Sequence, residues 1–167
     1  MSYDISVIAI NQTVPVYINS ISKIFLFNEK DNENAGRYWK IWPFFSNMKG
    51  VLYTLVAEDV DGFYCSFPIC DGDFEAEVPE RLFPSWLSQD EKKNLTPLII
   101  YPEYYEEFVK VIHFLIEKAP QKRIMFHTRY ECESIEVVLG VIKESHFFDM
   151  LDKKEILFNV CYIVEGD

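Results

Sequence analysis

The segment from Leu98 to Pro120 constrains the fold more tightly than any other part of the chain. Leu98 to Tyr101 is a short continuous apolar run, the pattern of a strand buried on both faces. Pro102 then stands where a first helical residue is favoured, with Glu103, Glu106 and Glu107 near the positive end of the helix dipole. Across Glu103–Lys118 the apolar stripe is Tyr104, Tyr105, Phe108, Val109, Val111, Ile112, Leu115 and Ile116. Glu103, Glu106, Glu107, Lys110, His113 and Glu117 form the opposite, polar face. Pro120 ends the helix. Beyond it Arg123–Tyr130 reads as a strand, Ser134 as the cap of a second helix reaching Glu144, and Ile156–Val164 as a final strand. Two crossover helices between three strands favour a sheet with parallel elements.

The N-terminal half has a different rhythm. Ile5–Ile10, Val14–Ile18, Lys23–Phe27, Arg37–Trp42, Val51–Glu58 and Phe63–Ile69 read as strands separated by turn signals. Val51–Glu58 and Phe63–Ile69 flank Asp61-Gly62 as a hairpin, with a four-residue loop or a bulge between them. The expected fold is α+β with one mixed β-sheet: an antiparallel β-rich N-terminal half completed by a β-α-β-α-β C-terminal half. The 167 residues suit one domain spanning 1–167, since domains run about 100–200 residues. The 14 Phe, 10 Tyr and 3 Trp exclude a disordered acidic tail.

Met1-Ser2-Tyr3-Asp4 lacks the basic n-region of a signal peptide, and the run Ile5 to Ile10 is too short for its apolar core. No stretch approaches the roughly 20 apolar residues of a membrane span. Cys65, Cys70, Cys132 and Cys161 are therefore expected as reduced thiols in a cytoplasmic protein, where Cys acts as a small hydrophobe.

Charge is unevenly placed. The net charge is −11, which argues against nucleic acid as a direct partner because phosphate binding needs a basic face. Residues 1–57 carry net +1, residues 58–95 net −7 and residues 96–167 net −5. Within Glu58–Glu80 stand eight acids (Glu58, Asp59, Asp61, Asp71, Asp73, Glu75, Glu77, Glu80) and no base, interleaved with Phe63, Tyr64, Phe67 and Phe74. Such a stretch either solvates two loops or meets a basic partner. Concentrated charge of one sign steers encounter, and exposed rings beside it supply anchors.

Dedicated chemistry is not indicated. Asp71-Gly72-Asp73-Phe74-Glu75-Ala76-Glu77 alternates acids like a calcium loop but has Ala76 at the turn position and Leu82 at the bidentate position. No zinc spacing, nucleophile elbow, phosphate loop or dinucleotide fingerprint exists, so no cofactor, metal or catalytic residue is expected. His113 reads as a solvated residue on its helix, His127 as the neighbour of Arg129 on one face of a strand, and His146 as a helix-end residue suited to the negative dipole end. Cys132 with His127 is a conceivable nucleophile pair, although Glu131 and Glu133 discourage the thiolate. The run from Tyr38 to Phe45, with Arg37, Lys40 and Lys49 about it, reads as a core strand in preference to a stacking platform for single-stranded nucleic acid.

A small, acidic, cysteine-reduced chain with the Glu58–Glu80 stretch resembles the immunity proteins of bacterial toxin–immunity systems, contact-dependent inhibition included. The resemblance implies a cytoplasmic inhibitor that binds one toxin domain, often a nuclease, and blocks its active site or an adjacent surface. Asp59, Asp61, Asp71, Asp73, Glu75 and Glu77 are then the residues expected to meet toxin Lys and Arg, with Phe63, Phe74 and Trp86 as apolar anchors. The expected partner is a basic protein toxin domain, with no nucleic acid and no membrane. The alternatives are a small cytoplasmic hydrolase or transferase, or an adaptor that binds without inhibiting. The oligomeric state stays open.

Overall fold

The computed structural model describes residues 3–18, 22–28, 44, 47–130 and 137–167. Its main sheet has seven strands. β1 (Tyr3–Ile10), β2 (Ile24–Asn28), β3 (Gly50–Glu58), β7 (Arg123–Tyr130), β8 (Val137–Lys143) and β9 (Val160–Glu165) follow the order β2-β3-β1-β7-β9-β8, and β4 (Tyr64–Cys65) pairs with β3. β5 (Cys70–Gly72) and β6 (Leu98–Ile100) form a separate antiparallel pair. Three α-helices are described: α1 (Gln89–Lys92), α2 (Pro102–Lys118) and α3 (Glu144–Asp152). The fold is α+β with a mixed sheet, as the two rhythms predict.

β1 lies at the centre, paired at its edges with β3 and β7, and apolar clusters cover both its faces, so its run reads as almost uninterrupted apolar residues. Tyr3, Ile5, Val7 and Ala9 face the main core, which takes Phe108, Val111, Ile112, Leu115 and Ile116 from α2 and Phe147, Met150 and Leu151 from α3. Those five α2 positions are the inner rows of the predicted stripe. On the opposite face Ile8, Ile10, Leu52, Met125 and Cys161 form a second cluster.

Four expectations are corrected. The segment predicted as the second helix, Ser134–Glu144, is strand β8 over Val137–Lys143, and helix α3 starts only at Glu144. Val137, Val138, Val141 and Ile142 are stiff at χ1 and favour a pleated surface. Gly140, costly inside a helix, sits instead where the β8–β9 register shifts between Leu139 and Val141. β8 and β9 run parallel, and α3 supplies the crossover that a parallel pair requires. Leu98–Ile100 belongs to the small sheet with β5 and does not join the main one. Val14–Ile18 is not a strand: Pro15 has no N–H to give a ladder, and the Val16 N–H donates instead to the Tyr53 hydroxyl at 2.8 Å. Phe63–Ile69 is a strand only at Tyr64–Cys65, because the chain turns before Pro68 with the Ile69 N–H bonded to the Ser66 carbonyl at 2.9 Å. The expected strand Arg37–Trp42 lies outside the described residues.

Strand β9 also begins later than predicted, at Val160. Asn159 before it adopts φ 63° and is fully buried, and its amide closes both sides of the turn. Its Oδ1 accepts from the Tyr130 N–H at 3.2 Å, and its Nδ2 donates to the Asn94 carbonyl at 3.1 Å. An Asn tolerates this left-handed conformation where a β-branched residue would not.

Candidate functional site

The Glu58–Glu80 stretch folds into two surfaces joined by a ladder of rings. Phe67 stacks on Tyr3 with centroids 5.2 Å apart, and Tyr3 meets Phe158 (5.3 Å) and Tyr130 (6.0 Å) edge-on. Tyr130 stacks on Phe158 at 4.6 Å and on Phe74 at 5.5 Å. The inner rings are buried, and the Tyr3 hydroxyl donates to the Cys70 carbonyl. The outer rings are open, Phe67 at 52% exposure and Phe74 at 59%. A hollow opens beside each end.

The first hollow, about 500 Å³, is lined by Tyr3, Cys65, Phe67, Pro68, Tyr101 and Tyr104, with Glu58, Asp59 and Val60 from the β3–β4 hairpin. The connection spans residues 59–63, one longer than the four-residue loop expected, between the paired Glu58 and Tyr64. It is built by Asp59, whose Oδ1 accepts the N–H groups of Asp61 and Phe63, each at 2.9 Å. The Asp59 N–H closes the loop on the Phe63 carbonyl at 2.8 Å. Gly62 takes φ 82°, which L side chains rarely adopt, and a Cβ there would stand 3.7 Å from Glu58 Oε1. The Glu58 carboxylate thus lies against the turn, and Phe63 is 70% exposed within it. Among the described residues no Lys, Arg or His lies within ion-pair distance of Glu58, Asp59, Asp61, Asp71 or Glu103.

The floor chemistry follows from burial. The Tyr101 hydroxyl donates to Asp71 Oδ2 at 3.3 Å; burial first, then the Asp71 charge and that bond, raise its pKa, so it stays a donor. Burial likewise raises the Cys65 thiol, with the Asp59 charge adding to it, so the thiolate is disfavoured.

The second hollow, about 490 Å³, is lined by Phe74, Ala76, Glu77, Val78, Glu80, Phe83, Gln89, Lys92, Lys93, Leu95 and Thr96. α1 shapes one wall. It starts in a capping box in which Ser88 Oγ accepts the Glu91 N–H and the Glu91 carboxylate accepts the Ser88 N–H. Here charges are partly matched, Glu77 having no cation among the described residues. Lys92 pairs with Glu80 and sits 5.3 Å above the centre of the Phe83 ring, and Lys93 pairs with Asp90 at 2.8 Å. Asp73 Oδ1 accepts the N–H groups of Glu75 (3.2 Å) and Ala76 (3.1 Å), and its Oδ2 stands 3.8 Å from Lys154 Nζ.

The predicted partner-binding residues therefore divide. Asp59 lines the first hollow, with Asp61 and Phe63 in the same loop; Phe74 and Glu77 line the second. Asp71 lies in β5 behind Tyr101, Asp73 and Glu75 belong to the turn beside Phe74, and Trp86, 64% exposed, lines neither hollow. Missing from the prediction were Tyr3, Phe67, Tyr101 and Tyr104. They come from three separate segments, and Tyr104 carries no signal that separates it from the rest of the α2 stripe.

The histidines differ in outcome. His113 is exposed on the polar face of α2 as expected, and its Nδ1 also lies 2.7 Å from Glu144 Oε1. His146 occupies the first turn of α3, near the positive dipole end. His127, 1% exposed, is buried where a sheet surface was expected, in register with Ser6 on one side and Cys161 on the other. Burial, with Arg129 adding to it, lowers its pKa to about 3, which makes it a weak general base near neutral pH. Cys132, its conceivable partner, lies outside the described residues. No group of three or more His, Cys, Asp or Glu converges as a metal cage among the described residues, and no helix there is long and apolar enough to cross a membrane. No protein-family model matches the chain, and neither the curated proteins nor the solved structures contain a significant match to it.

Proposed function

We propose that this chain is a stoichiometric inhibitor of the immunity type, binding a basic toxin domain through the surface around the first hollow. One observation carries the reading: an aromatic-walled hollow bordered by Glu58 and Asp59, with Asp61 in the same loop, none of them matched by a cation among the described residues. Unmatched carboxylates of one sign raise encounter rates with a basic surface, and the adjoining rings of Phe63 and Phe67 supply apolar area for the docked state. Clustered like charge also costs stability through self-repulsion, which favours a surface kept for a partner over one kept for solubility.

The test begins with affinity capture from native cells at low and at high salt. The captured protein is then purified and assayed with and without the chain. The expected result is loss of its activity at one-to-one stoichiometry, with affinity that falls as salt rises and as Glu58→Gln and Asp61→Asn are introduced. A partner that binds with its activity intact would make the chain an adaptor. Binding indifferent to salt and to both substitutions would remove the acidic surface from the interface.

A further inference from the structure

We infer that the first hollow seats an arginine side chain of the partner, its stem along the rings and its guanidinium held by the hairpin carboxylates. The inference rests on the inhibitor reading for where the arginine comes from, but the receptor chemistry stands on the hollow alone. A purely apolar occupant would fit the walls of Tyr3, Phe67, Pro68 and Tyr104, yet would leave Glu58 and Asp59 desolvated beside it without a counter-charge. A compact ammonium would answer the charge and waste the ring faces. Guanidinium is planar, weakly hydrated and presents a fork of donors, so it stacks on an aromatic face and bonds a carboxylate at once.

Three features prepare the hollow for such a group. Phe67 is half exposed yet braced from behind by the stacked, buried Tyr3 ring, so its face is fixed before any ligand arrives. Asp59 is held by the two loop N–H bonds to one oxygen, which leaves its other oxygen for an incoming donor. Asp71, whose Oδ2 accepts from the Tyr101 hydroxyl at 3.3 Å, adds a further negative charge beside the wall. The second hollow shows the same chemistry already satisfied within the chain, where Lys92 lies over Phe83 and pairs with Glu80.

The test uses the full chain with Tyr and Phe labelled for aromatic NMR, titrated with N-acetyl-arginine methylamide. N-acetyl-norleucine methylamide serves as the uncharged stem and tetramethylammonium as a free cation. The arginine probe is expected to shift Phe67 and Tyr104 saturably, in a roughly millimolar range suited to one side chain, with norleucine at least about tenfold weaker. Glu58→Gln, on an exposed side chain, and Asp59→Asn, which keeps the loop acceptor, should together weaken the arginine probe about tenfold. Equal shifts from norleucine, or none that saturate, would overturn the inference while leaving the inhibitor reading to its own assay. Tighter binding of tetramethylammonium would overturn it in favour of a small free cation. Arginine binding in a chain that inhibits no captured partner would uphold the hollow and discard the inhibitor reading.

Discussion

The two hollows have nearly the same volume, share one ring ladder and border the same acid-rich stretch, yet they differ in how their charge is met. In the second, Glu80 has a cation at hand, as do Asp73 and Asp90 beside it, and Lys92 already covers a ring, leaving Glu77 without one. In the first, Glu58, Asp59 and Asp61 have none among the described residues. Local charge density, read along the chain, treats both as equivalent. Spatial pairing separates them, because Lys92 and Lys93 return to the second hollow, and Lys154 to Asp73 beside it, from later in the sequence. The difference teaches that an acidic run is open to a cationic partner only where folding leaves it unneutralised.

The largest test strikes what the hollows share. Phe158 is fully buried between Tyr3 and Tyr130, so Phe158→Ala should cost about 3–5 kcal/mol in urea unfolding. It should also disturb Phe67 and Phe74 resonances together; a change confined to one of them would break the shared ladder. Gly72→Ala is the milder version. A Cβ there would collide with the Tyr130 hydroxyl and lie 3.1 Å from Thr96 Oγ1, so overpacking should cost about 1–3 kcal/mol and favour damage on the Phe74 side.

Acid titration separates surface from core. His127 is neutral in the fold with a pKa of about 3 against an ordinary 6.5, so between those values the unfolded chain binds the extra proton. Stability is therefore full above pH 6.5 and falls as pH drops through that window, by at most about 1.4 kcal/mol per pH unit from this residue. His127→Gln should flatten that slope in urea titrations.

Smaller effects sharpen the contrast between the hollows. Lys92→Met keeps the apolar stem and removes the charge, and should cost about 0.2–1 kcal/mol, a loss that disappears in the Glu80→Gln background if the pair is its source. Smallest of all is Glu58→Gln, whose carboxylate has no ion partner to lose among the described residues. Its unfolding free energy should shift by no more than about 0.5 kcal/mol, in either direction. A large destabilisation would mean that the first hollow is structural after all.

Much of the fold was legible in the chain because its signals are local. The α2 stripe, Pro102 at its start and Pro120 beyond its end are set by helix geometry and proline chemistry, which act within a few residues. The continuous apolar run of β1 and the Asp-Gly turn of the β3–β4 hairpin are of the same kind. At Val137–Lys143 the cap signal of Ser134 is outweighed by three valines, an isoleucine and a glycine that together favour a bulged strand. The site was legible only in its acids and in some of its rings. Asp59 and Asp61 could be chosen for charge density, but Tyr3, Phe67, Tyr101 and Tyr104 meet only because β1, the turn before Pro68 and the start of α2 converge.

The sequence by itself determined the α+β class, the central helix and the concentration of acid in one stretch. Periodicity and composition are properties of neighbours, and they need no partner to be read. Tertiary structure alone decided which carboxylates found a lysine and which were left beside bare rings. Ion pairs and ring stacks act over a few ångströms of space, and here they join residues up to more than a hundred positions apart along the chain.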